Sequence, residues 1–237
     1  MLRAGPQVGA YSGMEQKLCY FLLFAYGSGA LAHTLPAVLP VTRYTTDGLL
    51  LVLNGLLIYS IYRRHEDRKL LYWLVGAYCF TFAAEAVGVA TGALFGEYAY
   101  GPTMRWQWLG VPFVIALNWC VLTLATNDLA ARALRLFTPQ GHGVETSRRI
   151  TEGVCTALLA SLLIAAYDVA IEPVAIKLDY WQWGGGEIPL QNYLMWALVA
   201  LLISLPLQLL GIRYRSPLLW VYLAAQLFFF VVLNLVL

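Results

Sequence analysis

A chain of 237 residues that is 60% hydrophobic and 12% charged, with a mean hydropathy of +0.68, does not read as a soluble domain, where about a quarter of the residues are charged. Its net charge of +2 is too small to imply a nucleic-acid partner, and its four cysteines (Cys19, Cys79, Cys120, Cys155) lack C-x-x-C spacing, so they read as small buried hydrophobes rather than metal ligands. The composition predicts an all-α integral membrane protein, a polytopic bundle of about seven transmembrane helices in one domain over residues 1–237.

The opening stretch MLRAGPQVGAYSGMEQK has no compact apolar core with a small-residue cleavage site, so it is not read as a signal peptide. Seven apolar spans follow, each near the ~20 residues that cross a bilayer. The first runs from Leu18 to Leu39, with Pro36 and Pro40 at its exit. The second, Gly48 to Tyr62, is short, and Thr45 and Thr46 can extend it. The third runs from Leu70 to Phe95. A polar-aromatic loop, GEYAYGPTMRWQW, leads into the fourth, Leu109 to Leu136, which Asn127 and Asp128 interrupt. The fifth is Ile150 to Ile176, the sixth Leu190 to Leu210, the seventh Pro217 to Leu237.

Lys and Arg set the orientation. Arg3, Lys17, Arg63, Arg64, Arg68, Lys69, Arg132, Arg135, Arg148, Arg149, Arg213 and Arg215 fall on the side of the N-terminus; Arg43, Arg105 and Lys177 fall on the other. This asymmetry predicts a cytoplasmic N-terminus and a multi-pass protein of the inner (plasma) membrane. On the basic side, HEDRK and TPQGHGVETSRR read as solvated connections. On the far side, the two loops are rich in Trp, Tyr and Gly, in part an interfacial aromatic belt.

The stretch Tyr167–Trp196, YDVAIEPVAIKLDYWQWGGGEIPLQNYLMW, is the candidate centre. Asp168 and Glu172, four residues apart, share one helix face, and Pro173 is expected to break that helix and to free the carbonyl of Val169. A carboxylate inside an apolar span is costly and usually faces a cavity where it functions. Glu85 lies in the outer half of span three, with Gly88 and Gly92 on the same stripe. Glu97, Tyr98 and Tyr100 follow it, and Arg105 can pair with any of these acids. Asn118, Trp119, Asn192, Tyr193 and Trp196 are polar or aromatic positions in or at the mouths of spans, with Asn192 also placed to cap span six. Asp128 reads as interfacial. His33, His65 and His142 form no metal-ligating group with the acids, and no nucleotide-binding or HExxH pattern occurs. The last span has no lysine to carry retinal.

EAVGVATGALFGEYAYG from Glu85, LGVPFVIALNW from Leu109, DVAIEPVA from Asp168 and YWQWGGGEIPLQNYLMW from Tyr180 together resemble the membrane carotenoid-biosynthesis family that includes carotenoid 1',2'-hydratases of the CruF type. The resemblance covers most of Glu85–Trp196; the outer spans match in hydropathy alone. Glu172 stands where an aspartate is commoner, and the glycine loop before Ile188 departs from the expected aromatic segment; both bear on end-group preference.

The resemblance implies addition of water to the terminal double bond of an acyclic ψ end group of lycopene, γ-carotene or a C50 carotenoid, without a cofactor. Carotenoid and membrane lipid are then the partners. A low acidic content, unlike a salt-in halophile protein, favours a C40 substrate. Such chemistry needs a buried carboxylic acid to protonate an alkene, π faces for the tertiary cation, and a base to orient one water. Asp168 and Glu172 are the expected acid-base centre, with Glu85 assisting. Glu97, Tyr98, Tyr100, Arg105, Trp106, Trp108, Trp119, Tyr180, Trp181, Trp183, Asn192 and Trp196 are the expected substrate-binding set. A cyclase or isomerase working through the same cation, and a non-enzymatic transporter or lipid-binding protein with its acids as relay sites, are the alternatives.

Overall fold

The computed structural model describes residues 13–137 and 145–237. Arg3, the opening segment and His142 lie outside the described residues. Seven helices make up the fold: α1 (Gly13–His33), α2 (Leu39–His65), α3 (Arg68–Thr91), α4 (Phe113–Phe137), α5 (Glu145–Lys177), α6 (Leu190–Leu209) and α7 (Pro217–Val236). Among the described residues, α2 to α7 are long and apolar enough to cross a membrane. The chain is an all-α polytopic membrane protein. α1 packs on α7 and α2, and α5 lies mainly between α6 and α4.

Several span boundaries move from their expected places, each for a local reason. Span one ends at His33, and Pro36 sits in the turn that follows. α2 then begins at Leu39, well before Gly48, because Pro40 at the first helical turn gives up only an N–H that would be unpaired there. Thr42, Thr45 and Thr46 return their hydroxyls to the carbonyls of Leu39, Val41 and Thr42, so this polar start stays helical. α3 stops at Thr91 because Gly92, at φ 66°, closes it with an N–H to Gly88 O. Span four is helical only from Phe113, since Val111–Pro112 is a strand. Asn127 and Asp128 do not interrupt it: both are fully buried, and Asn127 donates to Thr123 O and Ser204 Oγ.

Pro173 does not break α5, which runs on to Lys177. Its end is satisfied by a left-handed cap at Asp179 (φ 57°), with Tyr180 N donating to Ala175 O at 2.9 Å and Arg43 paired to the Asp179 carboxylate at 3.0 Å. Small residues let α5 and α6 approach: Ala157, Ala160 and Ala200 are wholly buried, and a Cβ on Gly153 would stand 3.5 Å from Gln208 Cβ. The cysteines differ from expectation. Cys120 is buried, Cys19 is partly buried, and Cys79 and Cys155 are exposed. A thiol behaves as a small apolar group and is equally at home on a lipid-facing surface.

The basic residues separate as the loop asymmetry requires. At one end Arg64 pairs with Glu15 (2.7 Å), Lys69 Nζ donates to Leu210 O, and Arg213 pairs with Asp67. At the other end Arg105 lies over the Tyr44 ring and Arg43 meets Asp179.

That second end carries four short strands: β1 (Tyr98–Tyr100), β2 (Gln107–Trp108), β3 (Val111–Pro112) and β4 (Trp181–Trp183). β2 and β3 form a hairpin through Leu109 and Gly110, both at positive φ, as a two-residue turn demands. β1 pairs antiparallel with β4, bringing the α3–α4 and α5–α6 loops together in the register Tyr98 to Trp183 and Tyr100 to Trp181. Gly101 N extends this ladder to Tyr180 O, and a Cβ on Gly101 would lie 2.2 Å from Asp179 O.

Candidate active site

In a strand alternate residues face one side. Tyr98 and Tyr100 on β1, and Trp181 and Trp183 on β4, therefore point inward, while Ala99 and Gln182 point out and are exposed. Beneath this four-ring lid lie Glu85, Asp168 and Glu172, all buried. Glu85 Oε2 accepts from Tyr98 Oη at 2.5 Å and Tyr100 Oη at 2.9 Å, and its Oε1 accepts from Trp119 Nε1 at 2.9 Å. Glu172 Oε2 accepts from Trp181 Nε1 and Trp183 Nε1, both at 2.9 Å. One strand thus serves each glutamate. Burial first, and then the Glu85 charge, pushes the phenols of Tyr98 and Tyr100 well above their ordinary range, so both remain O–H donors.

Asn192 joins the remaining oxygens. Its Nδ2 donates to Asp168 Oδ2 at 2.7 Å and to Glu172 Oε1 at 3.1 Å. It is not the cap of α6; Pro189 holds that position. Glu85 and Glu172 each accept from three donors, whereas Asp168 accepts from one, and its buried Oδ1 has no protein partner among the described residues.

These groups enclose a cavity of about 60 Å³, walled by Leu50, Phe95, Met104, Ile115, Ile171 and Phe230 beside the polar and aromatic residues. That is the liquid volume of about two waters. Trp119 and Trp196 stack on one wall with ring centroids 4.1 Å apart. Another polar corner comes from α4 and α7, where Asn118 Oδ1 accepts from Tyr222 Oη at 2.5 Å and Gln226 Nε2 at 3.3 Å. A second cavity of about 60 Å³ adjoins across Leu50, Tyr180, Gln226 and Phe230 and extends to His33, whose Nε2 has no protein partner among the described residues.

Of the residues singled out from sequence, Glu85, Tyr98, Tyr100, Trp119, Glu172, Tyr180, Trp181, Trp183, Asn192 and Trp196 all line the first cavity. Asp168 stands one hydrogen bond behind it, through Asn192. Four do not join them. Glu97 is exposed, with its backbone carbonyl bonded to Gly184 N. Arg105 is exposed and pairs with none of the three acids; its backbone N–H goes to Asp47 and its guanidinium lies 3.8 Å from the Tyr44 ring centre. Trp106 is exposed, and Trp108 stacks on Phe82 at the outer surface. The β2–β3 hairpin folds outward and carries both tryptophans away from the lid.

Sequence reading passed over Asp47 and Gln226. Asp47 is buried and accepts the backbone N–H groups of Gly48, Arg105 and Trp106, which pins the α3–α4 loop to α2. Gln226 is a buried amide in an otherwise apolar stretch of span seven, which is the signal that marks it. Asp128 proves to be a buried anchor rather than an interfacial group, bonded to Trp220 Nε1 and flanked by Arg132 and Arg215. Among the described residues no group of three His, Cys, Asp or Glu is arranged to hold a metal ion.

A family profile described as carotenoid biosynthesis protein matches residues 47–237. Over 157 residues, 63% of this chain and 50% of the relative, the sequence is 28% identical to a bisanhydrobacterioruberin hydratase from Haloarcula japonica. The chain spans about half the length of that curated relative. No solved structure matches. The profile takes in Asp47, Glu85, Asp168, Glu172, both strands of the lid and α7, so it covers the whole lining of the first cavity, and the chain belongs to the carotenoid biosynthesis protein family.

Proposed function

We propose that this protein is a carotenoid hydratase that adds water across the terminal C=C of an acyclic ψ end group. The observation that carries the reading is the arrangement of Glu172 and Glu85 on the walls of one cavity, with Asp168 tied to Glu172 by the Asn192 amide. Two adjacent buried carboxyls do not both carry charge readily. The Asp168–Glu172 pair therefore shares a proton, which Glu172, the member that faces substrate, carries when the alkene binds, with the partnerless Asp168 Oδ1 buried behind it.

In the first step the alkene π electrons take that proton at the terminal double bond's less substituted carbon, leaving a tertiary cation. The faces of Trp119, Trp196, Trp181 and Trp183 stabilise this cation. Water, oriented by the Asn118 and Gln226 amides, then forms the C–O bond. Its released proton returns to a carboxylate, Glu85 or the pair, and the product is a tertiary alcohol. Two waters fill a cavity of this volume, so the end group enters by displacing apolar wall residues such as Leu50 and Phe230. The adjoining cavity toward α1 and α2 gives the direction in which the unreacted polyene extends.

The test is pigment analysis of a lycopene-producing bacterial host expressing the chain, beside Asp168→Asn, Glu172→Gln and Glu85→Gln, with parallel hosts making γ-carotene or bisanhydrobacterioruberin. A product heavier by one water, lost in the Asp168 and Glu172 variants, supports the reading and identifies the carotenoid. A new product of unchanged mass would replace it with cyclisation or isomerisation. No product from any of the three carotenoids would refute it.

A further inference from the structure

A second polar cavity lies at the opposite end of the bundle. It measures about 460 Å³ and is bounded by the end of α4, the start of α5, the end of α6 and the α6–α7 connection. Arg135, Arg149, Arg213 and Arg215 line it, with the hydrogen-bonding Gln208 and Tyr214 on its floor. Their charges are unevenly compensated. Arg213 is 3.8 Å from Asp67, and Arg215 is 3.5 Å from Asp128, whose other oxygen already serves Arg132. Glu152, the carboxylate on the wall, is paired to Arg148 at 2.7 Å. Arg135 and Arg149 meet no carboxylate among the residues whose side chains are described, a set that leaves out Glu145. Gly211, at φ 62°, makes room for Arg149: a Cβ there would lie 2.2 Å from Nη2. Beside the mouth, Ile150 and Leu158 on α5 and Leu209 and Leu210 at the end of α6 present exposed apolar surface.

We propose that this cavity binds the phosphate of an anionic ligand, seated there as a membrane phospholipid headgroup with its acyl chains along the exposed faces of α5 and α6. Arginine forks match phosphate oxygens bidentately. The cavity stands at the bundle end that holds most of the Lys and Arg, where basic pockets between helices meet anionic headgroups. The exposed aliphatic residues beside it favour a lipid over a soluble anion.

Native mass spectrometry of the full purified chain in detergent tests this, with phosphatidylglycerol, phosphatidylcholine and inorganic phosphate as probes. Phosphatidylglycerol should bind about tenfold tighter than phosphatidylcholine, and the double variant Arg135→Gln/Arg149→Gln should lose that preference. Arg135→Lys/Arg149→Lys should keep part of it. Arg63→Gln/Arg68→Gln, an equal loss of charge at the same end but outside the cavity, should keep it whole. Equal affinity for the two lipids, or an equal loss in both glutamine variants, would overturn the site. Displacement of phosphatidylglycerol by equimolar inorganic phosphate would overturn its assignment to a lipid. Size-exclusion profiles confirm that each variant is folded.

Discussion

Asn192→Leu separates the bridging amide from everything else in the site. Leucine nearly preserves the side-chain volume and removes both hydrogen bonds, at 2.7 Å to Asp168 and 3.1 Å to Glu172. Glu172 keeps its two indole donors, but Asp168 is left with no protein donor on either oxygen. Hydrogen bonds to charged groups contribute about 1.5–3 kcal/mol each. Neutral interhelical bonds in membranes average nearer ~0.6 kcal/mol. Carboxyl acceptors buried this deeply belong closer to the first figure, so a loss of roughly 2–4 kcal/mol is expected. In thermal unfolding of the detergent-purified protein that is a fall of roughly 5–15 °C. Turnover should fall about 10²-fold, the usual cost of removing one donor from a site of developing charge. Gln191→Leu is the control. It loses the bonds to Ala93 O and Leu94 O, touches neither acid, and should lower Tm while pigment conversion persists. A folded Asn192→Leu protein that converts pigment at the parent rate would refute the claim that the Asp168–Glu172 pair works through this amide.

Gly101→Ala should abolish the lid: its Cβ would meet the Asp179 carbonyl at 2.2 Å, the β1–β4 ladder must part, and pigment conversion should vanish at a membrane-protein yield that fluorescence-detected gel filtration can score. Glu97→Gln and Trp108→Phe, on side chains outside the cavity, should convert pigment at the parent rate; a large loss in either would mean that the substrate path runs outside the lid. Asp67 gives a pH test. The Arg213 backbone N–H, with that of Lys69 behind it, holds its carboxyl below the ordinary range. A lowered folded-state value stabilises the protein above the unfolded value of about 3.9 and loses that contribution as pH falls through the folded value. Asp67→Asn should therefore flatten the fall of Tm below about pH 4, and an unchanged acid limb would show that Asp67 is not its source.

The all-α membrane fold and the acids were legible because the bilayer makes both signals strong. An apolar run long enough to span is hard to mistake, and Asp168, Glu172 and Glu85 stand out for their cost there. The seven helices follow, with ends moved by features that hydropathy does not weigh, such as Pro40 at a helix start and Gly92 at a helix end. The two aromatic loops were legible as candidates but not as strands. Tyr98-Ala-Tyr100 and Trp181-Gln-Trp183 are each three residues long and gain their period only by pairing with one another across most of a hundred residues. Trp106 and Trp108 have the same local composition as Trp181 and Trp183, yet the Leu109–Gly110 turn sends them outward. Asp47 was hidden because its role is to receive backbone N–H groups of a distant loop, which no spacing within α2 reveals.

The division of labour between helices and strands explains why this site sits at a bundle end. Two acids at i and i+4 on α5 share a face, but the N–H groups of α5 are already spent on its own ladder and cannot serve them. Donors must come from elsewhere, and in a bilayer irregular backbone is admitted only where it is covered by protein. Short strands meet both needs. Their period of two places a phenol or indole over a carboxylate at every second residue, and the pairing of β1 with β4 satisfies the backbone that carries them. Glu85 and Glu172 are therefore fully bonded only once the α3–α4 and α5–α6 loops have met. Completion of the acid site thus depends on the β1–β4 pairing, and a change that parts the two strands leaves two buried carboxylates short of donors at the same moment.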